Sequence, residues 1–531
     1  MYILNGRLIF QQVIFNDDWT DEEEIPDTTG SVILCPATIR EFKKRWSFIK
    51  ASGEPYNNKT LEAMANYKDF SFLVPEARRV DECIWLPIYE KLNHQYKCVI
   101  ELLNRRRYGV FFDTGTGKTV VTIQYLYNKL QGQQGRNVII VTKSIVVPQF
   151  QHAVGFLPES ITKNNRIIVV SYDTAYKYED INFDVVFLDE SHLVKTKTSL
   201  RYFDIKRIAK PETPYVFILT ATPQDKNKYE IIVQFSILSD YILHPRGASS
   251  FKRRYFELND YNSVKRDRSN RIHEVNETLS QLSVYCKTDD VLNIPPFDPP
   301  IIINCYKGKE LTEYKIMNND KDRILELNGI KFKGKNISSQ RSFLRQITNG
   351  FIYETYVRNP DDPIEKWKTS KRAHYINSNK LDELKKNIMF RNYNGAIIYT
   401  LFDEDNRMIA KMLDELGVSY KMILKCSNKI RDQIIMDFKS KKFEFLIIKA
   451  TSGGAGLDLE MIQTIHWYTM PEAYLDIKQG RGRIHRYGQK QKQQEYFYIG
   501  SPLEKDIYRN VVIKKKSYTD ETFRHFQNIN K

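Results

Sequence analysis

A short glycine-rich stretch is the first part of this sequence whose residue types point to chemistry. It reads FDTGTGKT from Phe112 to Thr119, between a strand-like run (YGVFF) and a helical segment (VVTIQYLYNKL). Glycines there let backbone N–H groups close around phosphate oxygens at a helix N-terminus. We therefore predict that Lys118 contacts the β- and γ-phosphates of ATP and that Thr119 binds Mg²⁺. The strict phosphate-loop pattern has Gly at the position of Phe112. The other loop residues expected at the nucleotide are Thr114, Gly115, Thr116 and Gly117.

A second stretch, VVFLDESH from Val185 to His192, ends an apolar run with two adjacent carboxylates. A buried strand that ends in Asp-Glu places one carboxylate to hold a metal and the next to activate water. We assign Asp189 to Mg²⁺ and Glu190 to the attacking water. An acidic pair at a strand end is the simpler interpretation, but the preceding phosphate loop favours the catalytic one.

The elements that must position these residues form two similar series. Apolar runs such as YGVFF, NVIIVT, RIIVVSY, FDVVFLDE and YVFILTATP alternate with helix-length polar segments, and a second series (GAIIYT, FEFLIIKA, TIHWYT, EYFYIG) starts near Ser378. This alternation predicts βα units and parallel sheets buried on both faces, hence an α/β fold with two parallel-sheet lobes. The expected domains are an N-terminal α/β accessory domain (1–88), a first lobe (89–235), a mainly helical insertion with a Pro-rich crossing (236–375), and a second lobe with a C-terminal helix (376–531).

Composition narrows the class of protein. The chain has 531 residues and a formal net charge of +16, an excess that favours a polyanionic partner such as nucleic acid. Its six cysteines form no CxxC pair, so we expect reduced, buried thiols and no zinc site. No run approaches the length of a membrane span, and the N-terminus lacks the pattern of a secretory signal. We expect an intracellular protein, located where the DNA is.

Five motifs in order resemble those of superfamily II helicases: DTGTGKT, DESH, LTATP (Leu219 to Pro223), SGGAGLDL (Ser452 to Leu459) and QGRGRIHRYGQ (Gln479 to Gln489). The last string, together with DESH, resembles the Swi/Snf-like branch, including phage and cellular branch-migration or annealing helicases. The resemblance covers about residues 89–515 and implies two RecA-like lobes with ATP and Mg²⁺ at the cleft between them.

The resemblance also implies roles for residues around the nucleotide. Gln95 matches the glutamine that reads adenine, although an ordinary helix-surface Gln is the alternative. Arg483 and Arg486 match arginine fingers; three residues apart, they can share a helix face. Thr220 and Thr222 match the motif that couples the γ-phosphate site to the nucleic acid, and Gly456 and Asp458 match a later motif that lies near the nucleotide. The family more often has Asn at the position of Asp458.

Strand-end motifs of the family touch nucleic-acid phosphates, and here they correspond to Lys143, Ser144, Ser171, Tyr172, Thr451 and Ser452. Hydroxyls and backbone N–H groups suit phosphate because they bind it without reading base sequence. Basic clusters, among them KFKGK (Lys331 to Lys335), either add to this grip or are solvated faces.

Several functions remain open from the sequence. The first is a DNA-dependent ATPase that remodels or unwinds branched DNA during replication, recombination or repair. The second is a duplex translocase that displaces bound proteins, and the third is the motor of a restriction system. An RNA helicase and a non-enzymatic binding module are the remaining alternatives. The sequence is compatible with a monomer and leaves protein partners open.

Overall fold

The computed structural model describes residues 2–4, 7–10, 13–15, 80–224, 228–238, 252–259, 264–267, 275–276, 279–280, 282–306, 311–320, 322–357, 369–390, 395–424, 426–451, 457–515 and 527–528. The chain divides into two compact units. The first comprises residues 1–292 and 519–531, and the second residues 293–518. Among the described residues, no helix has the length and apolar character needed to cross a membrane.

The described strands of the first unit, up to residue 292, are β1 (Tyr2–Leu4), β2 (Arg7–Phe10), β3 (Val13–Phe15), β4 (Arg107–Phe112), β5 (Asn137–Thr142), β6 (Arg166–Ser171), β7 (Val185–Asp189), β8 (Tyr215–Leu219), β9 (Phe256–Leu258), β10 (Val264–Asp267) and β11 (Ser283–Cys286). Its helices are α1 (Asn93–Leu103), α2 (Lys118–Leu130), α3 (Val147–Val154), α4 (Glu159–Thr162), α5 (Leu200–Ile208), α6 (Tyr229–Leu238) and α7 (Thr288–Val291), with 3₁₀-helices Ala175–Tyr178 and Ser191–Val194.

The strands of the second unit are β12 (Ile301–Asn304), β13 (Ile324–Leu327), β14 (Ile330–Lys333), β15 (Phe351–Val357), β16 (Thr369–Tyr375), β17 (Ala396–Thr400), β18 (Tyr420–Ile423), β19 (Phe445–Lys449), β20 (Thr464–Trp467) and β21 (Gln494–Ile499). Its helices are α8 (Thr312–Asn319), α9 (Ile337–Asn349), α10 (Lys380–Met389), α11 (Asp403–Glu415), α12 (Asn428–Lys439), α13 (Tyr474–Arg481) and α14 (Pro502–Ile507), followed by a π-helix, Tyr508–Lys515. A final strand, β22 (Gln527–Asn528), belongs to the first unit.

Each unit is built on one parallel sheet. The order in the first is β22-β11-β4-β8-β7-β5-β6, and in the second β12-β21-β20-β17-β19-β18. Every neighbouring pair in both sheets is parallel. The central strands are buried along nearly their whole length, as expected where helices cover both faces of a parallel sheet. The predicted fold of two RecA-like lobes is confirmed.

The segment predicted as a mainly helical insertion (236–375) is divided between the two units. Strand β11 pairs with β4 inside the first sheet, and β12 pairs with β21 at the edge of the second. Both strands have only four residues, so their sequences lacked a visible period; neighbouring strands, not local propensity, determine them. The segment also contributes two antiparallel hairpins, β13–β14 and β15–β16. Of the predicted accessory domain, the antiparallel meander β1–β2–β3 and residues 80–88 are described.

Candidate active site

The glycine-rich loop joins β4 to α2, as its sequence context predicted. Gly115 and Gly117 have φ values of 78° and 90°, a left-handed conformation that favours glycine. Gly117 is also the residue immediately before α2, so the loop presents the helix N-terminus, the end that attracts anions. Lys118 begins the helix and its Nζ donates to the carbonyl oxygens of Phe112, at 2.9 Å, and Asp113, at 3.3 Å. The lysine is thereby held over the loop.

Residues distant in sequence hold this loop in place. The Asp113 N–H donates to the carbonyl of Cys286 at the end of β11 (2.9 Å), and the Thr288 N–H donates to the Asp113 carboxylate (3.3 Å). The Thr288 hydroxyl donates to the carbonyl of Thr114 at 3.2 Å. Asp113 and Thr288 were missed by sequence reasoning, since only the pairing of β11 with β4 brings the two segments together.

Helix α1 lies against the loop through two neighbouring side chains. Gln95 Nε2 donates to the carbonyl of Thr116 at 3.1 Å, and His94 Nε2 lies 2.9 Å from the same oxygen. Both side chains are buried. A Cβ added at Gly117 would lie 2.1 Å from Gln95 Nε2, so this approach requires glycine. Gln95 is therefore no solvated helix-surface residue, and His94 is a contact that sequence reasoning missed.

The acidic pair lies at the carboxyl end of β7. Asp189 is the last residue of the strand; its carboxylate accepts a 2.7 Å hydrogen bond from the Thr142 hydroxyl, and its carbonyl accepts a 2.8 Å bond from the Tyr172 hydroxyl. Glu190 follows with a φ of 53°, a left-handed conformation unusual for a residue with a side chain. Such strain, about 1 to 3 kcal/mol, clusters at functional sites because the surroundings hold the residue in place.

The two carboxyl groups have different electrostatic environments. Burial and the neighbouring Glu190 carboxylate raise the pKa of Asp189 to about 6, with Lys118 opposing the shift. Burial alone would raise the pKa of Glu190, but the hydrogen bond from His192 and the charges of Lys143 and Lys118 together outweigh burial and hold that pKa below its usual range. His192 itself has a lowered pKa because it is buried. Glu190 is thus kept as a carboxylate, the form a general base requires.

Thr220, predicted as a coupling residue, lies beside this carboxylate. His192 Nδ1 is 3.2 Å from Glu190 Oε2 and 3.0 Å from Thr220 Oγ1, and the Thr220 hydroxyl is 3.4 Å from the same Glu190 oxygen. The N–H of Thr222 donates to Thr220 Oγ1 at 3.1 Å. The motifs DESH and LTATP therefore meet in one hydrogen-bonded group.

Gln234 of α6, which sequence reasoning missed, bonds both the loop after β7 and the loop after β8. Its Oε1 accepts a 2.8 Å bond from the Ser191 hydroxyl, and its Nε2 donates to the carbonyls of Pro223 and Glu230. The side chain is fully buried. No sequence pattern around it carried a signal.

The residues predicted to contact DNA in this unit follow β5 and β6. Ser144 is exposed and Lys143 half-buried. The Ser171 hydroxyl lies 2.9 Å from the Thr174 hydroxyl. Tyr172 does not fit its predicted role: its side chain is buried, its hydroxyl bonds Asp189, and its N–H donates to the Thr142 carbonyl. Its hydroxyl supports the main chain at Asp189 instead.

In the second unit, Arg483 and Arg486 lie in turns after α13, which ends at Arg481. The expectation of a shared helix face is wrong, because the glycines of QGRGR favour an early helix end. Arg486 Nη1 donates to the Leu457 carbonyl (2.8 Å) and pairs with the Asp458 carboxylate. Asp458, predicted near the nucleotide, thus contacts a predicted arginine finger.

Closely packed side chains at the end of α13 support these turns. Arg481 donates to both oxygens of Glu495, at 2.8 and 2.7 Å, and the Trp467 indole donates to the same carboxylate at 2.9 Å. A Cβ added at Gly480 would lie 2.5 Å from Trp467 Cη2. Of the remaining predicted residues, Thr451 is exposed just after β19, and Ser452 and Gly456 lie outside the described residues.

Comparison with known proteins gives matches to two family models. "Type III restriction enzyme, res subunit" matches residues 88–225, and "Helicase conserved C-terminal domain" matches residues 379–488. The two matches fall on separate units and contain the motifs described above.

Similar curated proteins are named as helicases. An uncharacterized ATP-dependent helicase, YqhH, of Bacillus subtilis (strain 168) is 22% identical over 85% of this chain and 82% of its own length. ATP-dependent helicase fft2 of Schizosaccharomyces pombe is 21% identical over 73% of this chain, which spans 37% of that relative. Helicase SWR1 of Debaryomyces hansenii is 25% identical over 36% of this chain and 13% of its own length.

Similar solved structures include a Sulfolobus solfataricus SWI2/SNF2 ATPase core in complex with dsDNA, at 16% identity and a TM-score of 0.37 over 83% of this chain and 94% of that one. Dbp5 of S. cerevisiae bound to RNA and ADP BeF3 is 13% identical, with a TM-score of 0.46 over 83% of this chain and 89% of that one.

Proposed function

We propose that this chain uses ATP hydrolysis to move on DNA and to remodel branched DNA such as forks and junctions. The chain is an ATP-hydrolysing helicase of superfamily II, and its motifs resemble the Swi/Snf-like branch. The observation that carries the proposal is the group Glu190, His192 and Thr220. Glu190 would be the general base, and His192 holds it ionised. Both residues share hydrogen bonds with Thr220, which belongs to the predicted coupling motif.

The phosphate loop and the acidic pair divide the work of hydrolysis. Lys118 would neutralise the β- and γ-phosphates, and Glu190 would take a proton from the attacking water. Thr119 and Asp189 would hold Mg²⁺, which supplies positive charge to the phosphate oxygens when bound. A hydroxyl and a buried carboxylate oriented by Thr142 are oxygen ligands of the kind this cation prefers, so the donor set fits.

Arg483 and Arg486 would complete this chemistry from the second unit, and Gln95 and Asp458 would contact the nucleoside. An arginine at the transferred phosphate is worth about 10³ to 10⁵ in rate in related enzymes. Since Lys118 and these arginines belong to different units, hydrolysis would depend on a change in their relative position that ATP favours and its products do not.

DNA would be bound mainly through phosphates, by Lys143, Ser144, Ser171, Thr451 and Ser452. Strands β7, β5 and β6 lie in that order in one parallel sheet, so their carboxyl ends share one edge. Lys143 and Ser144 follow β5, the neighbour of the strand that ends at Asp189, and Ser171 is the last residue of β6. The net charge of +16 supports a polyanionic track. A protein acting on this track would be located with the DNA.

The test compares ATPase rate and strand products on single-stranded, duplex, forked and four-way-junction DNA in parallel, with Glu190→Gln as the inactive control. We expect forks and junctions to stimulate ATPase above plain duplex and to yield new strand products. Equal stimulation by every DNA, with no strand product, would contradict the branched-DNA proposal and leave duplex translocation with protein displacement as the function.

The motor of a restriction system is the second candidate, favoured by the match of residues 88–225 to the res subunit family. It predicts DNA cleavage when Mg²⁺ and ATP are added, alone or with a partner that supplies the nuclease. Cleavage of supercoiled plasmid by the purified chain with Mg²⁺ and ATP would favour this candidate, since a remodelling enzyme leaves every phosphodiester intact.

A further inference from the structure

Three amide side chains hold residues 80–89, a segment outside the helices and strands that ends in a turn and that we call the strap. Each pairs with both backbone groups of a single strap residue. Asn104 accepts from the Val80 N–H (2.8 Å) and donates to the Val80 carbonyl (2.7 Å). Asn128 pairs with Ile84 in the same way, at 2.8 Å for both bonds.

Gln124 completes the set at Leu86. It accepts from the Leu86 N–H at 3.0 Å and approaches the Leu86 carbonyl at 3.5 Å. Six backbone groups are thus satisfied by three side chains, in the manner of a neighbouring β-strand.

Main-chain and side-chain contacts both hold the strap. Ile84 and Ile88 are 55% and 56% exposed, whereas Leu86 is buried. The centre of the Trp85 ring lies 6.0 Å from that of the Tyr96 ring of α1. Removing one of the three amides takes away its hydrogen bonds to the strap backbone and leaves the side-chain contacts in place.

The strap joins the same two helices that meet at the phosphate loop. Asn104 directly follows α1, whereas Gln124 and Asn128 lie one turn apart on α2. At the other end of α1, His94 and Gln95 both contact the carbonyl of Thr116. Helix α1 is therefore fixed at one end by the strap and at the other by the loop.

We propose that the strap sets the position of α1 against the phosphate loop, and that Asn104, Gln124 and Asn128 are positioning residues for nucleotide use. The proposal rests on the nucleotide site proposed above. A tilt of about 5° about the far end of α1, over its length of roughly 15 Å, displaces Gln95 by about 1 Å. A displacement of that size costs up to about 10²-fold where reacting groups must be aligned.

The experiment measures kcat and KM for ATP and GTP with the full chain and saturating DNA. The strap variants are Gln124→Met and Asn128→Leu, which keep side-chain size and remove the amide. Gln131→Met is the matched control, since Gln131 is exposed and directly follows the same helix. Gln95→Ala reports the base-reading role by itself.

We expect both strap variants to raise the KM for ATP about 5- to 20-fold with kcat within about 3-fold, and to reduce the preference for ATP over GTP. Gln131→Met should match the parent chain. Because α1 acts through Gln95, Gln95→Ala combined with Asn128→Leu should lose no more discrimination than Gln95→Ala alone.

Three results separate the possible failures. Parent-like KM and discrimination in folded Gln124→Met and Asn128→Leu overturn the strap proposal. A raised KM in both, with unchanged discrimination in Gln95→Ala, retains the strap and removes the base-reading role. If Gln124→Met fails to fold by circular dichroism, Asn104→Leu, directly after α1, replaces it, and a parent-like KM there overturns the proposal equally.

Discussion

Catalysis in this chain depends on residues whose protonation and conformation are imposed by their neighbours. Glu190 adopts a φ of 53° directly after β7, so its carboxylate leaves the strand at an angle that a β conformation does not allow. His192 and Thr220 then hold that carboxylate on one side. The adjacent Asp189 points into the interior and bonds Thr142. Two neighbouring acidic residues thus have different surroundings, which suits the separate roles proposed for them, one at a metal and one at water.

Glu190→Gln should lower kcat by about 10² to 10⁴, because it removes the proton acceptor and keeps the side-chain shape. ATP affinity and DNA affinity should stay within about 3-fold of the parent. Steady-state ATPase and fluorescent-nucleotide titration measure both. Glu179→Gln is the matched control, since Glu179 forms a surface ion pair with Arg207. Turnover above one tenth of the parent in Glu190→Gln would assign the base to another residue.

Gln234→Met should uncouple ATPase from DNA. The substitution removes the bonds to Ser191 and to the Pro223 carbonyl, so the loops after β7 and β8 lose their common support. We expect basal ATPase within about 3-fold of the parent and a loss of most of the DNA stimulation, with a stability cost of about 1 to 3 kcal/mol from unpaired groups. The ratio of ATPase rates with and without duplex DNA measures the effect. If duplex DNA still stimulated the ATPase of the variant fully, Gln234 would have a structural role and no part in coupling.

At the scale of elements, buried polar contacts in the second unit tie helices to the sheet. Lys380 of α10 donates to Glu504 of α14 (2.5 Å) and to the side-chain oxygen of Asn349, the last residue of α9. The Asn349 amide donates to Asp405 of α11 (2.7 Å) and to Thr469 (2.8 Å). All five residues have a relative exposure of 1% or less. Four helices and the end of β20 therefore share one fully paired network.

Lys380→Met should destabilise the second unit by about 3 to 5 kcal/mol, because the Glu504 carboxylate stays buried without its cation. That corresponds to a fall of about 6 to 20 °C in the melting temperature of this unit. Lys385→Met, which breaks the exposed pair with Glu415, should cost under about 1 kcal/mol. Calorimetry of both variants makes the comparison. Equal shifts would mean that the buried pair contributes no more than a surface pair.

At the scale of the whole molecule, the chain consists of two parallel-sheet units, each with its own buried apolar core. The phosphate loop and acidic pair belong to the first unit and the arginine turns to the second. The proposed catalytic residues are therefore divided between the two units. This division suits the proposed motor, in which ATP and its products would favour different states of the chain.

Arg483→Ala should therefore lower kcat by about 10³ or more and leave ATP affinity within about 3-fold, whereas Lys118→Ala should lose affinity as well. Single-turnover hydrolysis with nucleotide titration distinguishes the two. Arg509→Ala, an exposed arginine of the same unit, is the matched control. Parent-like turnover in Arg483→Ala would remove this residue from the hydrolysis site.

How far the sequence predicts this protein depends on the range of the interactions involved. Loop and strand-end motifs are local, so Lys118, Thr119, Asp189 and Glu190 could be placed on the correct elements from their spacing alone. Tyr172 could not, because the direction of its side chain depends on how β6 and β7 are arranged in the sheet. The shared helix face of Arg483 and Arg486 failed for a local reason, the glycines that end α13.

The order of motifs and the alternation of apolar and polar segments by themselves determined two parallel-sheet lobes and an ATP-hydrolysing motor. The residues of each motif and of each apolar run are close in the chain, so these patterns can be recognised without knowledge of the fold. Only the tertiary structure decided which side chains support these motifs. Strand β11 and Thr288 hold the phosphate loop, and Gln234 joins the loops after β7 and β8. His192 and Thr220 both contact the Glu190 carboxylate, and the amide-bound strap spans α1 and α2. Most of those contacts join residues tens to more than a hundred positions apart, and no local propensity encodes which of the many possible partners will meet.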